Sequence, residues 1–168
     1  MISLIETSRQ VDQDGHPICP LCERGINFYK NGFNGPRRLN QFKFHCIKCN
    51  LDFLLSFGIW LDDERNPKLK GIQEHFGAEE HDNWCKTPAS AIKLLKTGMV
   101  TRISLDYDLG PSVGTGLIVA EYIREQTLSH NMNEMKISLH THHLTGKLEM
   151  KKVLRDIREY WIKRIVRA

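Results

Sequence analysis

The chain has 168 residues, of which 40% are hydrophobic and 26% charged, with a net charge of +4. That balance suits one ordinary soluble domain, or a small module joined to a compact one. No apolar run approaches the roughly 20 residues that span a bilayer, and MISLIETSRQ lacks a basic segment followed by a long apolar one. No membrane span and no signal peptide are therefore expected, and the protein is expected to be cytoplasmic, whether its gene is cellular or viral.

Residues 1 to about 17 read as an arm or short strand that ends in a turn at Asp12, Asp14, Gly15 and Pro17. Next comes Cys19-Pro20-Leu21-Cys22, and after 23 intervening residues Cys46-Ile47-Lys48-Cys49. Without a secretory context, cysteines point to metal or free thiols rather than disulfides. Two Cys-x-x-Cys knuckles at this spacing suit a tetrahedral four-cysteine zinc ribbon with Cys19, Cys22, Cys46 and Cys49 as ligands. Between the knuckles, Asn31-Gly32 and Asn34-Gly35-Pro36 separate aromatic, strand-like runs. Arg37, Arg38 and Lys43 fall on this hairpin among Phe28, Tyr29, Phe33, Phe42 and Phe44. Such interleaving serves phosphates and stacked bases, or else the aromatics form the core of a module too small to bury much.

Asn50 to Phe57 is expected to complete the ribbon, which sets a first module at 1–57 and a second at 58–168. Ile59-Trp60-Leu61 is a strand ending in Asp62-Asp63-Glu64-Arg65, and Pro67 to about Asp82 is a polar connection. Trp84-Cys85-Lys86 is a second strand, with Cys85 buried in it. Thr87-Pro88 caps a helix with Ala91, Ile92, Leu94 and Leu95 on its apolar face, closed by Gly98. Val100 to Leu105 is a third strand, ending in Asp106-Tyr107-Asp108. A glycine loop (Gly110, Gly114, Gly116) precedes a helix from Leu117 to Gln126; its N–H groups could cradle a phosphate, a weak motif without a P-loop lysine. Met135 to Leu139 is a fourth strand, ending in His140-Thr141-His142-His143, with His140 and His142 expected on one face. Gly146 opens the last helix, with Met150, Val153, Leu154, Ile157, Trp161 and Ile165 at three- and four-residue spacings.

This alternation predicts a parallel three-layer α/β sheet. Parallel strands place their ends side by side at the carboxyl edge, where ligands bind. There Asp62, Asp63, Asp106 and Asp108 would converge, and such carboxylates repel one another unless a cation or raised pKa values relieve them. The alternative is that the aspartates only cap helices or sit in solvated turns. Charge is also uneven along the chain: residues 147–168 carry eight Lys/Arg against three Asp/Glu, residues 59–146 nine against twelve, and residues 1–58 seven against five. Basic ends around an acidic centre suit a phosphate-bearing partner, with Lys151, Lys152 and Arg155 of the last helix as contacts, or reflect an ordinary solvated helix face.

The motifs Leu61-Asp62-Asp63-Glu64-Arg65 with Pro67, Trp84 with Thr87, Leu105-Asp106-Tyr107-Asp108-Leu109-Gly110, Thr115-Gly116, and His140-Thr141-His142-His143 with Gly146 resemble the cyclic-phosphate-processing receiver-like family. The resemblance covers about residues 58 to 168 and excludes the ribbon. It implies a receiver-like (flavodoxin-like) fold and processing of cyclic phosphate ends, such as RNA 2′,3′-cyclic phosphates. His143 stands where the family pattern has Asn, and no fifth strand with the receiver lysine is legible, which argues against an aspartyl-phosphate relay. In the chemistry expected here, Asp62, Asp63, Asp106 and Asp108 hold Mg2+ or Mn2+. Arg65 clamps a phosphate oxygen, and His140 and His142 act as acid and base or complete the metal site. The competing expectation is a non-catalytic regulator that binds nucleic acid or a protein through the ribbon.

Overall fold

In a computed structural model, residues 7–8, 16, 18–19, 21–23, 42–55 and 57–166 are described. Most of the predicted arm and most of the inter-knuckle hairpin, with Arg37 and Arg38, lie outside the described residues, as does the side chain of Lys43. A small sheet holds β1 (Thr7–Ser8), β2 (Phe42–Cys46) and β3 (Leu51–Leu55), in the order β1-β3-β2, with β2 and β3 antiparallel. Cys46 sits at the end of β2, so the second knuckle is the turn between β2 and β3. In each knuckle, the residue after its second cysteine lies in the left-handed region, Glu23 at φ 54° and Asn50 at φ 50°.

The larger sheet is parallel. Its strands are β4 (Phe57–Leu61), β5 (Asn83–Cys85), β6 (Val100–Leu105) and β7 (Lys136–Leu139), in the order β5-β4-β6-β7. This is the flavodoxin-like order 2-1-3-4, with the strand order reversing between β4 and β6. The helices are α1 (Lys70–Phe76), α2 (Pro88–Leu95), α3 (Gly116–Leu128) and α4 (Leu144–Val166). The registers set Ile59, Ile103 and Ile137 side by side, and likewise Leu61, Leu105 and Leu139. These alternate positions form the apolar face, which packs with Ala91, Leu94, Val119, Ala120, Ile123, Met150, Val153 and Ile157 of α2, α3 and α4. The other face carries Trp60, Trp84, Arg102, Ser104, Lys136 and Ser138. Arg102 there reaches up to the Gly77 carbonyl and to Asp82, so α1 and the loop after it form the thin third layer.

The sequence reading needs three changes. The polar connection from Pro67 to Asp82 contains α1, whose Ile72 and Phe76 sit one turn apart before a left-handed Gly77. Helix α4 starts at Leu144 rather than Gly146. Strand β7 stops at Leu139, so His140 and His142 do not share a strand face: His140 is buried and His142 exposed. The Thr87 cap is as expected, with its hydroxyl accepting from the Ser90 N–H at 3.1 Å.

Candidate functional site

Ladder hydrogen bonds run one residue past the strands and bring three strand ends together. The Asp62 N–H donates to the Cys85 carbonyl, Asp106 N–H to Leu61 and His140 N–H to Leu105, at 3.0, 3.0 and 3.1 Å. Each chemistry-bearing residue is thus held by its neighbouring strand before its side chain makes any contact. Two indoles pin the loop after β4 from below: Trp60 Nε1 donates to the Arg65 carbonyl at 2.9 Å, and Trp84 Nε1 to the Asp62 carbonyl at 2.5 Å.

The side chains form two layers. In the inner layer, Asp62 is fully buried and accepts four hydrogen bonds. Its Oδ1 takes the N–H groups of Glu64 and Arg65 at 3.0 and 2.7 Å. Its Oδ2 takes Arg65 Nε at 2.6 Å and His140 Nε2 at 3.1 Å. Arg65 continues across the gap, pairing with Asp106 Oδ2 and donating to the His140 carbonyl at 3.3 Å. Its guanidinium carbon lies 4.9 Å from the centre of the Phe76 ring. Asp106 Oδ1 accepts from the Tyr107 N–H at 2.8 Å.

His140 stacks on Trp60, with ring centres 3.7 Å apart and planes 13° apart. Its Nδ1 meets the Ser104 hydroxyl at 2.8 Å. Burial depresses the His140 pKa against the opposing pull of its hydrogen bond to Asp62. Nε2 faces a carboxylate that can only accept, so it is the nitrogen that carries a proton, and the Ser104 hydroxyl is placed to donate to Nδ1. For Asp62 burial alone would raise the pKa, but the bonds from His140, Arg65 and Glu64 and the charge of Arg65 hold it below the usual value.

The outer layer faces solvent. Asp62, Asp63, Glu64, Arg65, Phe76, Asp106, Asp108, Thr141, His142 and His143 line a crevice of about 720 Å3, a size suited to a small ligand or the end of a polymer. Asp108 is exposed, and its Oδ1 accepts from the Gly110 N–H at 3.1 Å. His142 is exposed beside Phe76, ring centres 5.5 Å apart. His143 acts as the N-cap of α4: its Nδ1 accepts from the Gly146 N–H at 2.9 Å, the work an Asn side chain would do there. Its ring stacks on Tyr107 at 4.7 Å, and the Tyr107 hydroxyl reaches Glu149 at 3.1 Å.

Two glycines close this region. A Cβ on Gly146 would lie 2.2 Å from the Tyr107 ring, and one on Gly116 would lie 1.8 Å from the Asp106 carbonyl oxygen. The Gly116 N–H is also committed to the Tyr107 carbonyl at 2.9 Å. This glycine therefore permits close packing rather than forming a phosphate cradle, contrary to the weak motif in the sequence.

The structure brings Asp62, Asp63, Arg65, Asp106, Asp108 and His142 to one crevice, with His140 directly behind them. It does not place Lys151 and Arg155 there. These exposed residues line a separate groove between α4 and β7 with Ile137, Leu154 and Trp161, and Lys152 is also exposed on α4. Sequence reasoning missed Trp60, Phe76 and Ser104. Phe76 had a signal in its one-turn spacing from Ile72 ahead of Gly77, whereas Ser104 had none.

The four cysteines of the knuckles form a second site. Their Sγ atoms all lie within 4.8 Å of one another, and Cys22 and Cys46 are 3.8 Å apart, nearly twice a disulfide bond. Tetrahedral sulfurs about 2.3 Å from a central ion sit about 3.8 Å apart, so the geometry fits one metal ion.

No helix among the described residues is long and apolar enough to cross a membrane. Searches of curated proteins and of solved structures find no match to the chain. The family model for the cyclic-phosphate processing receiver domain matches residues 57–156, which takes in all four strands of the parallel sheet and both layers of the crevice. The chain therefore belongs to the cyclic-phosphate processing receiver domain family.

Proposed function

We propose that this protein is an RNA-end-processing phosphoesterase that hydrolyses cyclic phosphate termini in the crevice at the carboxyl edge of the parallel sheet. The observation that carries this reading is the two-layer site. A locked frame of Asp62, Arg65, Asp106 and His140 supports an open layer of Asp63, Asp108 and His142. In ring opening, water adds to phosphorus, the bond from phosphorus to one ribose oxygen breaks, and a monoester remains. His142 takes the proton of the attacking water, and the leaving ribose oxygen is protonated from crevice water.

Five carboxylates against one committed guanidinium repel a phosphodiester. Asp63 and Asp108 would hold Mg2+ or Mn2+ through oxygen ligands; such an ion, when bound, neutralises the phosphoryl oxygens and lowers the pKa of water. Arg65 acts here as a positioning residue rather than the phosphate clamp expected from its type, because each of its three nitrogens already donates within the fold, to Asp62, the His140 carbonyl and Asp106.

Residues 1–57 are read as a zinc-ribbon module, with Zn2+ on Cys19, Cys22, Cys46 and Cys49, and 58–168 as the receiver-like domain. Arg37, Arg38 and Lys43 on the first, and Lys151, Lys152 and Arg155 on α4, are proposed to hold the RNA backbone, consistent with a cytoplasmic RNA such as tRNA as substrate. A second reading, a non-catalytic regulator that binds nucleic acid or protein, is favoured by one observation: Asp62 and His140 are both fully engaged inside the fold.

End-group analysis of an RNA oligonucleotide with a 2′,3′-cyclic phosphate separates the two. Metal-dependent conversion to a monoester, lost in Asp63→Asn and His142→Ala, supports the enzyme. Binding without conversion supports the regulator.

A further inference from the structure

We propose that Arg65 is the resident counter-cation of the inner carboxylate pair, so that Asp62 and Asp106 take no divalent ion in the native protein. The inference rests on the phosphate-site reading only where it leaves the outer carboxylates as the place for a cation.

By distance alone the inner layer is a metal site. One ligand atom each from Asp62, Asp106 and His140 lies within 4.8 Å of the others. Lone pairs decide otherwise. An ionised carboxylate offers about four lone-pair sites, and Asp62 receives four donors: two backbone N–H groups, Arg65 Nε and His140 Nε2. With Nε2 protonated toward Asp62, the His140 ring has at most one lone pair, on Nδ1, and the Ser104 hydroxyl takes it at 2.8 Å. Two of the three ligands therefore have nothing left to give an ion. Only Asp106 keeps spare acceptor capacity, and Arg65 pairs with it on the side facing Asp62.

Admitting an ion would require existing bonds to break. The Arg65 fork must leave both carboxylates, or His140 must turn off Trp60 and abandon Ser104. Arg65 is poorly placed to leave. Its backbone N–H is bound to Asp62 and its carbonyl to Trp60 Nε1, while its guanidinium lies over Phe76. A planar fork spans two carboxylates in a way an ammonium does not. The guanidinium supplies the charge balance that convergent aspartates otherwise draw from a cation, and it does so as part of the chain.

The test is Mn2+ titration of the zinc-loaded full chain without RNA, followed by the electron spin resonance of free Mn2+. The native chain and Asp106→Asn are expected to titrate alike, any weak binding belonging to the outer carboxylates. Arg65→Gln is expected to gain a site at least about tenfold tighter, which Arg65→Gln/Asp106→Asn loses. A purely structural arginine would produce no such gain. The proposal is overturned if Asp106→Asn weakens Mn2+ binding of the otherwise native chain, or if a folded Arg65→Gln chain gains no site. Should Arg65→Gln not fold, the comparison of the native chain with Asp106→Asn decides alone. Because no RNA is present, the result stands apart from whether the crevice turns over a cyclic phosphate.

Discussion

Replacing Arg65 by methionine keeps most of the side-chain length and removes the charge and the three hydrogen bonds that its guanidinium donates. Asp62, with 1% of its side chain exposed, would fall from four donors to three, and Asp106, 8% exposed, from two to one. The His140 carbonyl also loses its bond from Arg65. A charge-assisted hydrogen bond contributes about 1.5–3 kcal/mol, and removing one partner of a buried ion pair costs about 3–5 kcal/mol. Arg65 is itself 21% exposed, so water can reach part of the gap, and the lower end of that range applies, about 3 kcal/mol. For a domain of this size that lowers the thermal midpoint by roughly 12 °C. Urea unfolding of the zinc-loaded chain, followed by tryptophan fluorescence, measures it, because Trp60 and Trp84 both donate to carbonyls of the affected loop. An unchanged denaturant slope identifies the loss as stability rather than a change of state. A loss below about 1 kcal/mol would show that the two carboxylates need no guanidinium, and the closed inner layer would be wrong.

Three further outcomes follow from the same structure. Burial lowers the His140 pKa below the ordinary 6.5. The unfolded chain therefore binds a proton below about pH 6.5 that the folded chain refuses, and stability falls with pH down to the folded value, by up to about 1.4 kcal/mol per unit. His140→Gln should flatten the urea midpoint between pH 7.5 and 5.5 by that share; an identical slope would contradict it. Gly146→Ala places a Cβ inside the Tyr107 ring and should cost about 2 kcal/mol, and Tyr107→Ala should absorb most of that in the double variant. Purified chain should carry one tightly held metal per molecule, which elemental analysis should identify as zinc and which Cys22→Ala or Cys46→Ala should remove. Retention of the metal in either variant would argue against the four-cysteine ligand set.

The parallel sheet was legible because each strand is a short apolar run that stops at charged residues, and the helices between the strands carry caps such as Thr87-Pro88. The pairing of LDDER with LDYDLG correctly located the carboxyl-edge crevice. Three features were not legible. Sequence spacing shows that Asp62 and Asp106 approach each other but not what lies between them, and an arginine three residues past Asp62 reads equally as clamp, surface charge or counter-ion. The alternation rule placed His140 and His142 on one face only if the strand continued. It stops at Leu139, and only His140 keeps to the face of Ser138, where it meets Trp60, Ser104 and Asp62, all distant in sequence. The short α1 was hidden because none of its residues is buried, so its apolar periodicity is faint.

The most direct test of the proposed chemistry is phosphorus NMR of the zinc-loaded chain mixed with an oligoribonucleotide bearing a 2′,3′-cyclic phosphate, with Mg2+ present. A phosphoesterase in this crevice predicts that the cyclic phosphate signal converts to a phosphomonoester signal with many turnovers per chain. Asp63→Asn and His142→Ala should stop the conversion while remaining as stable as the native protein. A cyclic signal that persists in the presence of the native chain, or conversion that continues unchanged in both variants, would contradict the account.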